Sequence, residues 1–318
     1  MKEVIGRMFK SQAKEEFKTD VLLSRRMEKA IAKWIRIYTG NPDWVDEEKE
    51  IKTINFAKSV ASETARLVCL DLSIKLDGSA RADYIQTVVN NMFDKIREYV
   101  EKCCAYGTVV LKPIGKEIEC LTPERFLVTE TDGNGNIRGI IFFDYYDSSD
   151  KFYTKMEFHR FVEESYLISN RCYVSRSKGT LGEKIDIEKN VWKDIAPDVS
   201  IENLEKPLYA VLKTPMLNHI DTASPLGISI FAEAIEELKD LDIAYSRNAE
   251  EKWICLNISK MCFQRIRTTS TRKSIHSSTQ QQESKGLTIF FPFWHTNADI
   301  VTAISRLMQC RGFRQPRA

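Results

Sequence analysis

The chain has 318 residues, 43% hydrophobic and 29% charged, which is enough apolar material for a packed core and excludes a wholly disordered or fibrous polypeptide. The near balance of 47 Lys+Arg against 45 Asp+Glu hides an asymmetry: residues 252–318 carry 11 basic and 2 acidic side chains, the remainder 36 and 43. No stretch reaches the ~18 apolar residues of a membrane span. The N-terminus lacks the apolar run of a secretory signal. Eight cysteines with no C-x-x-C pair point to reduced thiols in a soluble cytosolic product.

In chain order, Leu22, Leu23, Met27, Ile31, Trp34 and Ile35 recur at helical steps, and Tyr38-Thr-Gly-Asn-Pro42 ends that helix. Asp43 to Lys49 reads as a solvated acidic link. A second helix is expected over roughly Thr53–Leu72, with Ile54, Ala57, Val60, Ala61, Ala65, Val68 and Leu72 inward. A third is expected over Ala80–Tyr106, with Ile85, Val88, Met92, Ile96, Tyr99, Val100 and Cys103 on one face. Asp77-Gly-Ser79 separates the two, and so short a connection makes them an antiparallel pair.

At Gly107 the period changes from helical to alternating. Strands are expected at Val109–Pro113, Glu117–Leu121, Arg125–Glu130, Ile137–Tyr146, Phe152–Phe161 and Ser165–Ser175. Asp132-Gly-Asn-Gly-Asn136 is a hairpin turn signal. Together these read as a β-meander, a small barrel-like sheet curling over itself. Gly179–Leu204 reads as loop with an exposed Trp192, and Leu208–Leu212 as a further strand. Ser224-Pro-Leu-Gly227 is the start signal of a long helix over about Ile228–Trp253, striped by Phe231, Ala234, Ile235, Leu238, Leu241, Ala244 and Tyr245. Beyond Lys252 the patterning dissolves into Ser, Thr, Gln and Arg. The expected fold class is therefore α+β, in four segments: helices over 1–106, a β-rich part over 107–223, a long helix over 224–253, and an irregular basic tail over 254–318.

No residue set qualifies as catalytic, cofactor-binding or metal-binding. There is no phosphate-loop motif, and Gly133, Gly135 and Gly139 have the wrong spacing for a dinucleotide fingerprint. Asp132, Asn134 and Asn136 imitate half of a calcium loop, but Ile137 stands where glycine is needed and Phe143 where the bidentate glutamate is needed. Acidic residues occur as runs, Asp46–Glu50, Glu163-Glu164 and Glu236-Glu237, the pattern of solvated faces, and no isolated acid pair in an apolar setting suggests glycosidase-style chemistry. Cys103 and Cys104 with His159 supply the residue types of a thiol hydrolase. Arg265, Arg267, Arg272, Lys273, Arg306, Arg311, Arg314 and Arg317, with Phe313 to stack, supply those of a nucleic-acid-binding tail. The same tail has the abrupt loss of periodicity expected of a reading-frame shift or truncation.

Four stretches in order resemble the portal proteins of tailed bacteriophages, of the type found in siphophages and prophages of Gram-positive bacteria. They are Trp34-Ile-Arg-Ile-Tyr-Thr-Gly40 with Trp44; Ile54-Asn-Phe-Ala-Lys-Ser-Val-Ala-Ser-Glu-Thr-Ala-Arg-Leu67; Tyr99 to Pro113, ending Ala105-Tyr-Gly-Thr-Val-Val-Leu-Lys-Pro113; and Ser224 to Arg247. The resemblance implies a structural subunit without catalytic activity or cofactor. Its setting would be a ring, usually a dodecamer, at the capsid vertex, and in the host cytoplasm before assembly. Double-stranded DNA would pass non-specifically through the channel. The implied partners are other copies of the chain, the terminase large subunit, head-completion or connector proteins, scaffold and major capsid protein. Residues 1–223 then resemble the wing, and the helix from about Ser224 the stem. The pattern departs from the family where the clip would begin, near residue 254. A nucleic-acid-binding module and a thiol hydrolase remain the alternatives.

Overall fold

The computed structural model describes residues 5–148, 150–189 and 191–249. Among the described residues, five helices and two antiparallel sheets give a mixed α+β fold. The basic tail, and the end of the expected long helix, lie outside the described residues.

The first helix in the chain, α1 (Ile5–Phe17), has no counterpart in the sequence reading. It buries Phe9 and Ala13, one turn apart, and two such contacts among charges leave little periodic signal. Helix α2 spans Arg25–Tyr38, shorter at its start than the expected run from Leu22. Ser24 is extended and its hydroxyl accepts from the Met27 N–H at 3.2 Å, so the helix opens there. Leu22 instead donates its N–H to the Val128 carbonyl at 2.8 Å. Met27, Ile31, Trp34 and Ile37 form the buried stripe of α2.

Helix α3 (Phe56–Cys69) buries Ala57, Ala61 and Ala65 at four-residue steps and packs on α4. Helix α4 spans Ala80–Tyr106, as its periodicity predicts, capped by the Ser79 hydroxyl and stopped at Gly107, whose φ is +80°. Helix α5 covers residues 235–249. The sequence signal placed its start near Ile228, but the intervening backbone has other partners. Ile230 N–H bonds the Cys104 carbonyl at 3.0 Å, and Ala232 and Ala234 close tight turns onto Ser229 and Phe231. One carbonyl from the end of α4 is thus satisfied by the segment that would have opened α5.

The expected single meander is two sheets. The smaller has strand order β2-β1-β9, from β1 (Thr108–Ile114), β2 (Glu117–Leu121) and β9 (Ala210–Lys213). The larger has order β3-β4-β5-β6-β7, from β3 (Phe126–Thr131), β4 (Ile137–Ser148), β5 (Lys151–Val162), β6 (Ser165–Ser175) and β7 (Glu183–Ile185). A further strand, β8 (Asp198–Glu202), shares the outer edge of β6 with β7. Strands β7 and β8 lie in the stretch expected to be loop; three- and five-residue strands offer almost no alternation to read.

Residues directly paired across β4, β5 and β6 share a face. Ile141, Phe143, Met156, Phe158 and Tyr173 turn toward α1 and form one core with Phe9, Ala13 and Leu127. The opposite face carries Ile140 and Phe142 into the main core with α2, α3, α4 and the small sheet. The same face carries Asp144, Lys155, Glu157 and His159.

Candidate functional site

The most concentrated chemistry in the described chain is an ionic network between the two sheets. Glu157 lies at its centre. Its Oε2 accepts from Lys112 Nζ of β1 and from Lys155 Nζ of β5, both at 2.8 Å, and its Oε1 meets His159 Nε2 at 2.6 Å. Asp144 of β4 accepts from Lys155 at 3.0 Å and from Arg125 at 2.7 Å, and Arg125 also pairs with Glu119 of β2. His159 Nδ1 lies 2.7 Å from the Tyr166 hydroxyl, which accepts from the Leu208 N–H at 3.2 Å. Lys112, Lys155, Glu157 and His159 are all buried. The Lys112 ammonium also rests 4.8 Å from the centre of the Phe142 ring, and Lys155 sits 5.8 Å from that of Trp192. Trp192, expected to be exposed, is half-buried over the network.

Three cations, Lys112, Arg125 and Lys155, face three carboxylates, Glu119, Asp144 and Glu157, so neutrality requires an uncharged imidazole. Burial holds His159 below its ordinary value of 6.5; the Glu157 hydrogen bond opposes that shift and the two lysines reinforce it. Burial works to raise Glu157, but the His159 hydrogen bond and the lysine charges outweigh it and leave the carboxyl well below 4.5. The network therefore closes with the Tyr166 hydroxyl donating to Nδ1 and Nε2–H donating to the Glu157 carboxylate. This string has the connectivity of an acid–base relay and reaches the backbone amide of Leu208. Its evident work is mechanical: Lys112 to Glu157 ties the small sheet to the large one, and breaking such a buried pair costs about 3–5 kcal/mol.

The sequence reading missed this site, in which Asp144 and Glu157 are bridged by Lys155 between packed strands. A signal was present. Lys155, Glu157 and His159 occupy alternate positions of a strand whose other positions, Thr154, Met156 and Phe158, are all buried. Charges at period two opposite an apolar face mark either solvent or a compensated interior, and only the sheet partners decide which.

A second constellation joins the stretches that carry the portal resemblance. Gly107 ends α4 and Gly227 precedes α5, and their backbones cross. A Cβ on Gly107 would lie 2.5 Å from the Gly227 oxygen, and one on Gly227 would lie 2.4 Å from the Gly107 oxygen. Thr214 N–H donates to Gly107 O at 2.9 Å, the Thr214 hydroxyl donates to Ile228 O at 2.6 Å, and Gly227 N–H donates to the Thr108 hydroxyl at 2.8 Å. Further along, Asp242 of α5 accepts from Trp44 Nε1 at 2.8 Å and from the Ile54 N–H at 3.0 Å. Ser246 holds Lys52 from the same helix face. The Asp43–Lys49 link is thus anchored through Trp44, not merely solvated.

The structure does not bring the suggested thiol pair to His159. Cys103 points its Sγ at the Leu212 carbonyl, 3.5 Å away, while His159 is engaged by Glu157 and Tyr166. Burial pushes the Cys103 thiol upward and Cys104 up to about 12, the reverse of an activated nucleophile. The Asp132 carboxylate caps its own hairpin, accepting from Asn134 N–H, Asn136 N–H and Asn136 Nδ2 at 2.8–2.9 Å. Among the described residues no group of three or more His, Cys, Asp or Glu is placed to hold a metal ion. A cavity of about 500 Å³ lies between α1 and the Thr180–Gly182 turn, and one of about 240 Å³ between the β3–β4 turn and β9. Neither is lined by Glu157, His159, Cys103 or Cys104. Among the described residues no helix is long and apolar enough to cross a membrane. No protein-family model and no curated protein matches the chain.

Proposed function

We propose that the chain is a structural subunit of a bacteriophage or prophage portal ring. The observation that supports this most is convergence. The four stretches that resemble portal proteins are spread over residues 34–247, yet they meet in one core. Trp34 and Ile37, Ala57, Ala61 and Ala65, Tyr99, Val100 and Leu111, and Leu226, Ile228 and Phe231 all belong to the same buried cluster. The Gly107–Gly227 crossing joins the third stretch to the fourth, and Asp242 joins the fourth to Trp44 and Ile54.

In this reading α1–α4 and the two sheets are the wing, and α5 is the start of the stem. The subunit acts without catalysis. It closes into a ring with other copies at the capsid vertex, admits double-stranded DNA through the channel, and docks terminase and head-completion proteins. Residues 254–318 lie outside the portal pattern, in keeping with a shifted frame. Translation of the coding DNA beyond codon 250 in all three frames tests this. Another frame that continues α5 into a long, acidic, helical second half is the expected result. If no frame does so, the portal reading of this chain fails and a nucleic-acid-binding tail becomes the better account.

A further inference from the structure

Helix α2 carries a second pattern besides its buried stripe. Arg25, Arg26, Lys29, Lys33 and Arg36 are its only cations. At 3.6 residues per turn all five fall within an arc of about 100°. The stripe runs about 16 Å along the helix, close to the rise of about five base pairs of duplex. Glu28, the one acid of α2, lies off this arc and faces Lys10 at 3.9 Å. Lys33 and Arg36 at the far end are partly offset by Glu236 and Asp43. Among the described residues no ion pair engages Arg25, Arg26 or Lys29, and all three are exposed. Arg25 and Arg26 also stand in the first turn, where the helix dipole disfavours cations. A helix that breaks a local rule on its solvent face, with no packing gain, does so at positions selected for something else. The body outside residues 252–318 is net acidic, so this face is a local reversal of charge rather than part of a basic surface.

We propose that the cationic face of α2 binds the phosphodiester backbone of nucleic acid. The five side chains are pure donors on a rigid rod, three of them arginines suited to paired contacts with phosphate oxygens. The contact is to phosphate oxygens, which carry no sequence information, so it is independent of sequence. The inference rests on the charge of α2 and not on the portal reading. It also concerns a surface separate from the tail, and its failure leaves both of those readings where they stand.

The test uses the full chain and a fluorescein-labelled duplex of about 30 base pairs, followed by anisotropy across a salt series. Each phosphate contact contributes about −0.9 to the slope of log affinity against log salt, so three contacts account for a factor of about 40 in affinity between 50 and 200 mM salt. The triple variant Arg25→Gln/Arg26→Gln/Lys29→Gln is expected to lose that factor, whereas Arg25→Lys/Arg26→Lys retains it. Arg311→Gln/Arg314→Gln/Arg317→Gln in the tail is expected to leave the α2 increment intact. Because Arg25, Arg26 and Lys29 are exposed, the α2 variants should unfold at the wild-type midpoint. An α2 triple variant with the wild-type salt slope overturns the proposal. So does poly-L-glutamate competing as well as unlabelled duplex at equal charge concentration, which would assign the face to an acidic protein surface instead.

Discussion

The crossing of Gly107 and Gly227 allows two physical costs to be separated within one protein. Gly107 has φ +80° and faces the Gly227 carbonyl, so an alanine there combines backbone strain with a collision. Gly115 has φ +57° and open space around its Cβ position, so alanine there meets strain alone. Gly227 lies outside the left-handed region, and its Cβ would lie 2.4 Å from Gly107 O and 2.8 Å from Thr214 Oγ1, so alanine there meets collision alone. Left-handed backbone costs a non-glycine residue about 1–2 kcal/mol, and overpacking against backbone costs about 1–3 kcal/mol. Gly115→Ala should then cost about 1–2 kcal/mol, Gly227→Ala about 1–3 kcal/mol, and Gly107→Ala about 2–5 kcal/mol. Equilibrium urea unfolding followed by tryptophan fluorescence measures all three, since Trp34 is fully buried and Trp44 is tied to α5. Equal destabilisation by Gly115→Ala and Gly107→Ala would refute the crossing as a point of close backbone contact.

Three further outcomes follow from the same geometry. Asp242→Ala removes the acceptor for Trp44 and Ile54, and should cost about 1–3 kcal/mol and speed amide exchange across residues 235–249; unchanged exchange there would contradict an anchoring role. Below about 6.5 the unfolded chain protonates His159 while the folded chain keeps it neutral, so urea midpoints should fall as pH drops from 6.5, and fall further below 4.5 as the depressed Glu157 joins with the same sign. His159→Gln should flatten the first of these limbs, and a limb that persists would place its origin in another group. Cys103 and Cys104 should react with a thiol reagent only when the chain unfolds, because burial disfavours both thiolates; rapid labelling of either in the native protein would contradict their place in the core.

What was legible in the sequence follows element length and regularity. Helix α4 has both termini where the Ser79 and Gly107 signals place them, because 27 residues of periodicity and two strong stop residues agree. The β3–β4 turn has the Asp132 chemistry its composition implies. The failures are local signals overruled by tertiary partners. Ser224-Pro-Leu-Gly227 looks like a helix start, but the Cys104 carbonyl claims Ile230 N–H and delays α5 to residue 235. Strands β7 and β8 are too short to alternate visibly and exist because β6 offers them an edge. The division into two sheets was invisible because β9, which completes the smaller one, lies almost a hundred residues after β1. The ionic network was hardest of all. Nothing at Asp144, Lys155 or Glu157 alone distinguishes a solvated charge from a buried one, and the answer depends on Lys112 arriving from the other sheet.

Closure into a ring is the property on which the portal account stands most directly. Closed rings form when heterologous interfaces repeat through a rotation that closes. The decisive measurement is mass photometry with negative-stain imaging of a chain expressed from whichever reading frame continues α5 as a helix. The account predicts closed particles of cyclic symmetry, near twelve subunits, with a central channel. A species that stays monomeric at every concentration would contradict it.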